Sequence, residues 1–308
     1  MVKASYMEGK PVKKIFSCAA ALLLACAVGH AEEKISWTMP EAAPVGQPFL
    51  VKISGPSNFD RLSINWAGRT FGLGGTNGLY RTLLGTPLDK TSEGKNMPVL
   101  LTLVRGNKTW QLRRQVKITP LSYPEERLSV APSFVSPPQD VLQRIAQERA
   151  VVSEALKTQT VQGPLSWPFV RPVAGVVTSP FGFTRVYNGQ RRSPHGGLDF
   201  RAPLGTPVHA AVDGTVILTG DHYFAGKSIY VDSGGGVISV YMHLSRIDVS
   251  AGERVKAGQA IALSGSSGRV TGPHLHLGVG LNGRWMDPAP LVGEKPLAAG
   301  VTKEYVLK

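Results

Sequence analysis

The sequence predicts an all-β protein: an N-terminal β-sandwich, a linker helix and a C-terminal antiparallel β domain. Three observations carry this. Glycine (35) and proline (23) are plentiful among 308 residues while aromatics make up only 7%, which suits short strands and tight turns better than a helical bundle. Apolar and polar residues alternate in short runs, the period of a strand with one face buried. Only residues 136–157 repeat their apolar side chains at helical spacing.

Residues 1–31 read as a secretory signal peptide. Lys10, Lys13 and Lys14 form the basic flank, residues 15–28 (IFSCAAALLLACAV) an apolar run too short for a comfortable span, and GHA a site for cleavage after Ala31. An uncleaved anchor is the competing reading, and Met7 is an alternative start. LLAC (23–26) resembles a lipoprotein lipobox, which would lipidate Cys26. The chain is therefore expected in the periplasm or cell envelope. Both cysteines, Cys18 and Cys26, fall in this segment, so cleavage after Ala31 leaves no disulfide and no thiolate. Any metal would have to be held by His, Asp or Glu. The formal charge is +13, of which residues 1–31 supply +3, leaving +10 on the exported part. That excess favours an anionic partner such as the cell wall or a membrane surface. Nucleic acid is not expected, because no basic run is interleaved with aromatics.

Residues 32–119 form the predicted sandwich. FLVKIS (49–54), RLSINW (61–66), PVLLTLV (98–104) and WQLRRQVKI (110–118) alternate as strands, and RGNK (105–108) joins the last two as a hairpin turn. GLGGTNG (72–78) breaks the dinucleotide fingerprint at Asn77 and reads as a plain glycine-rich loop. Residues 120–163 are a linker rich in proline and serine at its start, with a helix over 137–157. Ser136 and Gln139 match a capping box, Pro137 takes the first helical position, and Val141, Leu142, Ile145, Val152 and Leu156 mark an apolar stripe. That stripe is expected to pack on a neighbouring domain and, with the N-terminal domain, to cover part of any groove there. Residues 164–292 return to short strands and glycine turns, SGGGV (233–237) among them. The tail 293–308 receives no assignment.

The chemistry gathers in this second domain. In TGPHLHLGVG (271–280), His274 and His276 share one strand face while Leu275 and Leu277 point into a core. In SPHGGLDF (193–200), glycines at 196 and 197 let a turn bend His195 and Asp199 onto one ion. With His276 they make a two-histidine, one-carboxylate set, which suits a catalytic zinc with an open fourth position. In VISVYMHLS (237–245), alternation puts Val240 and Met242 on one face and Tyr241 and His243 on the other. His209 reads as structural, beside a turn. His222 and Tyr223 lie in a loop (GDHYFAGK) that could line a groove. Residues 181–193 (FGFTRVYNGQRRS) read as a groove wall, with Arg191, Arg192 or Arg201 available for substrate carboxylates.

Together, His195-Gly-Gly-Leu-Asp199, His243 in YMHLS and His274-Leu-His276 resemble the lysostaphin-type (LytM-type) zinc endopeptidases of bacterial peptidoglycan. SPFG, GTPV, DGTV, GERVKAGQ and TGPHLH follow in the family's order, over roughly residues 164–292. The upstream β region and linker also resemble the N-terminal extension of some members. The resemblance implies a duplicated hybrid motif fold, one Zn2+ held by His195, Asp199 and His276, and His243 with His274 as the catalytic pair. It implies hydrolysis of peptide cross-links, D-alanyl bonds to a diamino acid ahead of glycine bridges. HExxH is absent, so imidazole would do the proton transfer usually given to glutamate. A relative that binds wall or activates an amidase without catalysis usually lacks some ligands, and all are present here. A lipoyl-type carrier, suggested by GERVKAGQAI, would leave the histidines unexplained.

Overall fold

The computed structural model describes residues 32–161 and 163–307. The signal-peptide and lipidation readings lie outside the described residues. The chain is almost entirely β. Its first strands are β1 (Lys34–Met39), β2 (Ala42–Pro44), β3 (Pro48–Ser54), β4 (Arg61–Trp66), β5 (Arg69–Leu73), β6 (Gly75–Thr76), β7 (Leu79–Gly85), β8 (Asn96–Arg105) and β9 (Lys108–Thr119). They build two facing sheets, one running β1-β3-β7-β6 and the other β2-β9-β8-β4-β5. Alternation decides which side chains meet between them: Trp37, Val51 and Ile53 from one sheet and Ile64, Leu101 and Val116 from the other form a closed core. Gly106 and Asn107 close the two-residue hairpin between β8 and β9.

The linker contains more structure than its composition predicts. β10 (Glu125–Leu128) leaves the sandwich and pairs in parallel with β12 (Thr184–Tyr187), after β11 (Val177–Ser179) in chain order. The helix α1 spans Leu142–Leu156, preceded by a single 3-10 turn over Gln139–Val141. No side chain caps either start, so the expected capping box at Ser136 does not form. The reason is the diproline: Pro138 forces Pro137 out of helical geometry, and Pro138 itself is extended with ψ 157°. The helix therefore begins later than residue 137. Its stripe is real but narrow. Ile145 is buried, Val152 and Leu156 pack, as Met242 and Trp285 do, against Tyr230, Ile238 and Val240, and Leu142 stays exposed.

The remaining strands are β13 (Gln190–Pro194), β14 (Gly197–Arg201), β15 (Pro207–His209), β16 (Gly214–His222), β17 (Gly226–Asp232), β18 (Val237–Ile247), β19 (Arg254–Val255), β20 (Ala260–Ser264), β21 (His274–Leu281), β22 (Arg284–Met286) and β23 (Val301–Val306). The large antiparallel sheet runs β11-β14-β21-β18-β17-β16-β19, with β22 on β21, and β20 bridging β18 to β15. One face carries Leu198, Tyr241, Leu275 and Leu277 into a second apolar core. The other face is where the polar residues of β14 and β21 stand. The unassigned tail has a place: β23 pairs antiparallel with β1 at the edge of the sandwich.

Candidate metal centre

Register builds the site. In the antiparallel pair β14–β21, Asp199 stands opposite His276, and Met242 of β18 stands opposite His276 on the other side. Asp199 and His276 therefore share the face turned away from Leu198 and Leu277. His195 enters from the segment just before β14, where its backbone N–H donates to the Phe183 carbonyl at 2.8 Å. Gly197 is required here by space. A Cβ at that position would stand 2.5 Å from His276 Nε2 and 2.4 Å from the Leu277 carbonyl oxygen.

The three side chains converge on one point. His195 Nε2 lies 3.1 Å from Asp199 Oδ1, His276 Nδ1 lies 2.8 Å from the same oxygen, and the two nitrogens are 3.0 Å apart. A single proton can bridge only one edge of such a triangle. A tetrahedral zinc with bonds near 2.0–2.1 Å spaces its ligands by roughly 3.3 Å, so the triangle is within a few tenths of an ångström of one face of that tetrahedron. The donor chemistry and the spacing thus fit zinc. His195 Nδ1 donates to the Pro180 carbonyl at 2.8 Å, which leaves the lone pair on Nε2, the atom facing the point of convergence.

Two further imidazoles stand beside it. His243 and His274 have ring centroids 4.8 Å apart, and His274 Nε2 is 3.8 Å from Asp199 Oδ1. Each is held by Nδ1–H donation to a carbonyl of one loop: His243 to Ser267 at 2.9 Å, His274 to Gly272 at 2.8 Å. In the neutral form each therefore carries its lone pair on Nε2. His243 corrects the alternation. Strand period put it on the face of Tyr241, which the structure buries in the core. Instead β18 carries an extra residue there: β17 advances from Ile229 to Lys227 while β18 advances from Tyr241 to Leu244. This bulge, with His243 in the left-handed region at φ 65°, swings its ring toward His274 and His276. Holding a non-glycine residue there costs about 1–3 kcal/mol.

Burial tunes these groups. It is the main influence on His243, with His274 and His276 next, and the imidazole is pushed down to about 3. Burial also dominates at His276, pushed down to about 4 although Asp199 pulls the other way. Burial alone would raise Asp199, but His195 and His276 hold its carboxyl well below the usual range.

The site floors a cleft of about 1310 Å³ walled by the second β domain and the linker, with Leu128, Phe134, Ile145 and Val152 of the linker among its lining and Arg69 reaching it from the sandwich. The hairpin β12–β13 supplies Arg185, Tyr187 and Arg192 to the wall. His222 lines the cleft, its Nδ1 2.8 Å from Ser228 Oγ and its basicity lowered by burial. Tyr223 turns to the linker: its hydroxyl donates to the Ser133 carbonyl at 2.9 Å and its ring packs on Phe134. Arg201, exposed and opposite His274 in register, is not brought into the cleft lining. His209 stays apart, 3.3 Å from the Pro172 carbonyl. Sequence reasoning missed a charged chain behind the ligands. Buried Arg185 donates to Asp199 Oδ2 at 3.0 Å and pairs with Glu126 of β10 at 2.6 Å. Ser179 donates to the same Glu126 oxygen at 2.8 Å. The EER triplet at 125–127 was its one trace in the sequence, but composition cannot show a parallel strand pairing.

Residues 193–288 match the model of peptidase family M23. ShyA and ShyC of Vibrio cholerae, both named peptidoglycan DD-endopeptidases, are 42% identical over 115 residues and 41% over 134 residues. Those matches cover 37% and 40% of this chain but only 26% and 30% of theirs, so the chain spans less than a third of either relative. A Pseudomonas aeruginosa protein whose crystal structure is assigned to peptidase M23 is 30% identical, with 83% of this chain and 97% of that one covered at a TM-score of 0.62. That likeness extends well beyond residues 193–288, and the chain belongs to peptidase family M23.

Proposed function

We propose that this chain is an exported zinc metalloendopeptidase that hydrolyses peptide cross-links of bacterial peptidoglycan. The observation that carries the reading is the meeting of His195, Asp199 and His276 at one point with His243 and His274 alongside. One zinc ion would be held by those three ligands; manganese or cobalt accepts the same donors. When bound, zinc supplies Lewis acidity, making water acidic enough to attack near neutral pH and polarising the scissile carbonyl.

The chain's own residues do the rest. Asp199 keeps its charge and His276 stays uncharged near neutral pH, so neither has to lose a second proton or gain a charge to serve as a ligand. His243, neutral for the same reason, is an acceptor for the attacking water's proton, with His274 beside it for the same duty; the ring that takes the proton gains an Nε2–H that can donate to the tetrahedral oxyanion. The leaving amine is then protonated by whichever imidazole took the proton. The relatives named DD-endopeptidases support D-alanyl bonds to a diamino acid over glycine bridges. The basic flank and apolar run of residues 1–31 support export, and the positive surplus suits an anionic wall. Purified peptidoglycan digested with and without chelator, followed by mass analysis of the fragments, tests this. Chelator-sensitive release of cross-link halves is the expected result, and intact cross-links after prolonged digestion would end the proposal.

A further inference from the structure

We infer that Arg269 forms a carboxylate-binding subsite that selects peptides carrying a free carboxylate beside the scissile bond. This rests on the peptidase reading and adds the residue that would select its substrate. Arg269 belongs to the loop between β20 and β21 whose Ser267 and Gly272 carbonyls fix His243 and His274, so one segment positions both imidazoles and this guanidinium. The loop is tied down at Arg269 itself, whose backbone N–H donates to the Phe224 carbonyl at 2.9 Å. Its side chain lines the cleft.

The guanidinium sits over two aromatic rings. Its central carbon lies 4.4 Å from the Tyr187 ring centroid and 4.8 Å from that of Phe224. Aromatic contact uses the plane of the group, whereas its N–H donors point out along the edge. Tyr187 also engages one donor, and the remaining edge is available for a bidentate acceptor. Among the described residues no carboxylate lies within ion-pair distance of Arg269. Of the acids that line the cleft, Glu126 and Asp199 are engaged by Arg185 and Glu148 by Arg144. Arg192 adds another positive charge whose partners, the Val135 carbonyl and Gln190 Oε1, are neutral. Positive charge crowded beside buried catalytic groups, without an acid of its own, is arranged for an anion supplied by the substrate.

A cross-link from D-alanine to the side-chain amine of a diamino dicarboxylic acid carries such a group on the carbon next to the scissile nitrogen, whereas one to lysine does not. A glycine bridge has none. The test uses two purified cross-linked muropeptide dimers that differ only in a carboxylate or a carboxamide at that carbon, with the zinc-loaded chain from residue 32. Wild type is expected to favour the carboxylate dimer at least 10-fold in kcat/KM, mainly through KM, and Arg269→Gln to bring that ratio close to one. Arg269→Lys, which keeps charge but loses the fork, should recover part of the preference. Absence of discrimination by wild type, or a ratio unchanged in Arg269→Gln, overturns the subsite. Calorimetric binding of the corresponding carboxylate and carboxamide product peptides to zinc-free protein gives an answer independent of turnover and of how well the variants fold. If wild type cuts neither dimer but still binds the carboxylate product at least 10-fold more tightly, the peptidase reading falls and the subsite stands; equal binding removes the subsite.

Discussion

At the scale of single residues, the site separates groups that hold an ion from groups that move protons. His243 and His274 hydrogen-bond to loop carbonyls and to none of the three ligands, so removing one should leave the metal in place. His243→Asn, which tolerates the left-handed backbone, and His274→Ala are each expected to lower turnover about 100-fold or more with zinc content unchanged. Metal analysis beside rate measurement checks this; loss of zinc in either would make it a ligand. Acid stability gives a second prediction. The His243 imidazole, held near 3 when folded, takes up a proton more readily in the unfolded chain, whose value is about 6.5. Stability of zinc-free protein is therefore complete above about pH 6.5 and declines as pH falls toward 3, by roughly 1.4 kcal/mol per pH unit for each such histidine. His276 acts in the same direction down to about 4, and Asp199 adds to the loss only in stronger acid. Thermal unfolding of His243→Asn between pH 7 and 4 should show a shallower decline than wild type. Equal slopes would mean that His243 is not buried as a neutral ring.

At the scale of elements, sequence period read most of the fold and failed at two local devices. The alternation in β3, β4, β8 and β9 is the burial pattern of the sandwich, because each strand has one wet and one dry face. The ligands were legible for the same reason: His274 and His276 flank a buried leucine, and the glycines before Asp199 leave room for the rings. His243 was placed on the wrong face because a bulge is set by pairing between distant strands, which a single run cannot reveal. The helix start was misplaced because a capping pattern was read without the steric veto of the following proline. β10 is the element with the largest unforeseen consequence. Its Glu126 balances Arg185, and Arg185 fixes the free oxygen of Asp199. Without that carboxylate an uncompensated guanidinium would compete with zinc for Asp199. Glu126→Gln is predicted to weaken zinc about 10-fold, read by chelator competition. The loss should vanish when Arg185→Met is already present, since the effect passes through that side chain. An undiminished loss in the double variant would place Glu126 on another route.

At the scale of the whole molecule, the sandwich and the metal-site module share contacts that a simple hinged cover would lack. Asp287, completely buried just after β22, accepts from Gln47 of the sandwich at 3.0 Å and from Lys295 at 3.1 Å, and its own N–H donates to Gly46 at 3.1 Å. Leu83 of β7 belongs to the second core rather than the first. The chain also crosses between the modules twice, through the linker and again through the tail. There buried Arg114 donates to the carbonyls of Trp37 and Val301 and so fastens β23 onto β1. Opening the cleft by swinging the sandwich away would break buried polar bonds, each worth about 1–3 kcal/mol when one partner is left unsatisfied. Zinc-free residues 32–308 are therefore expected to unfold in one calorimetric transition, with calorimetric and van't Hoff enthalpies in agreement. A chain beginning at Gly163 should melt several degrees lower, because Asp287 loses Gln47 and the face of Tyr230, Ile238 and Val240 loses α1. Two resolved transitions, the second matching the truncated chain, would show instead that the modules are independent and that the walls of the cleft can be withdrawn without cost to the site.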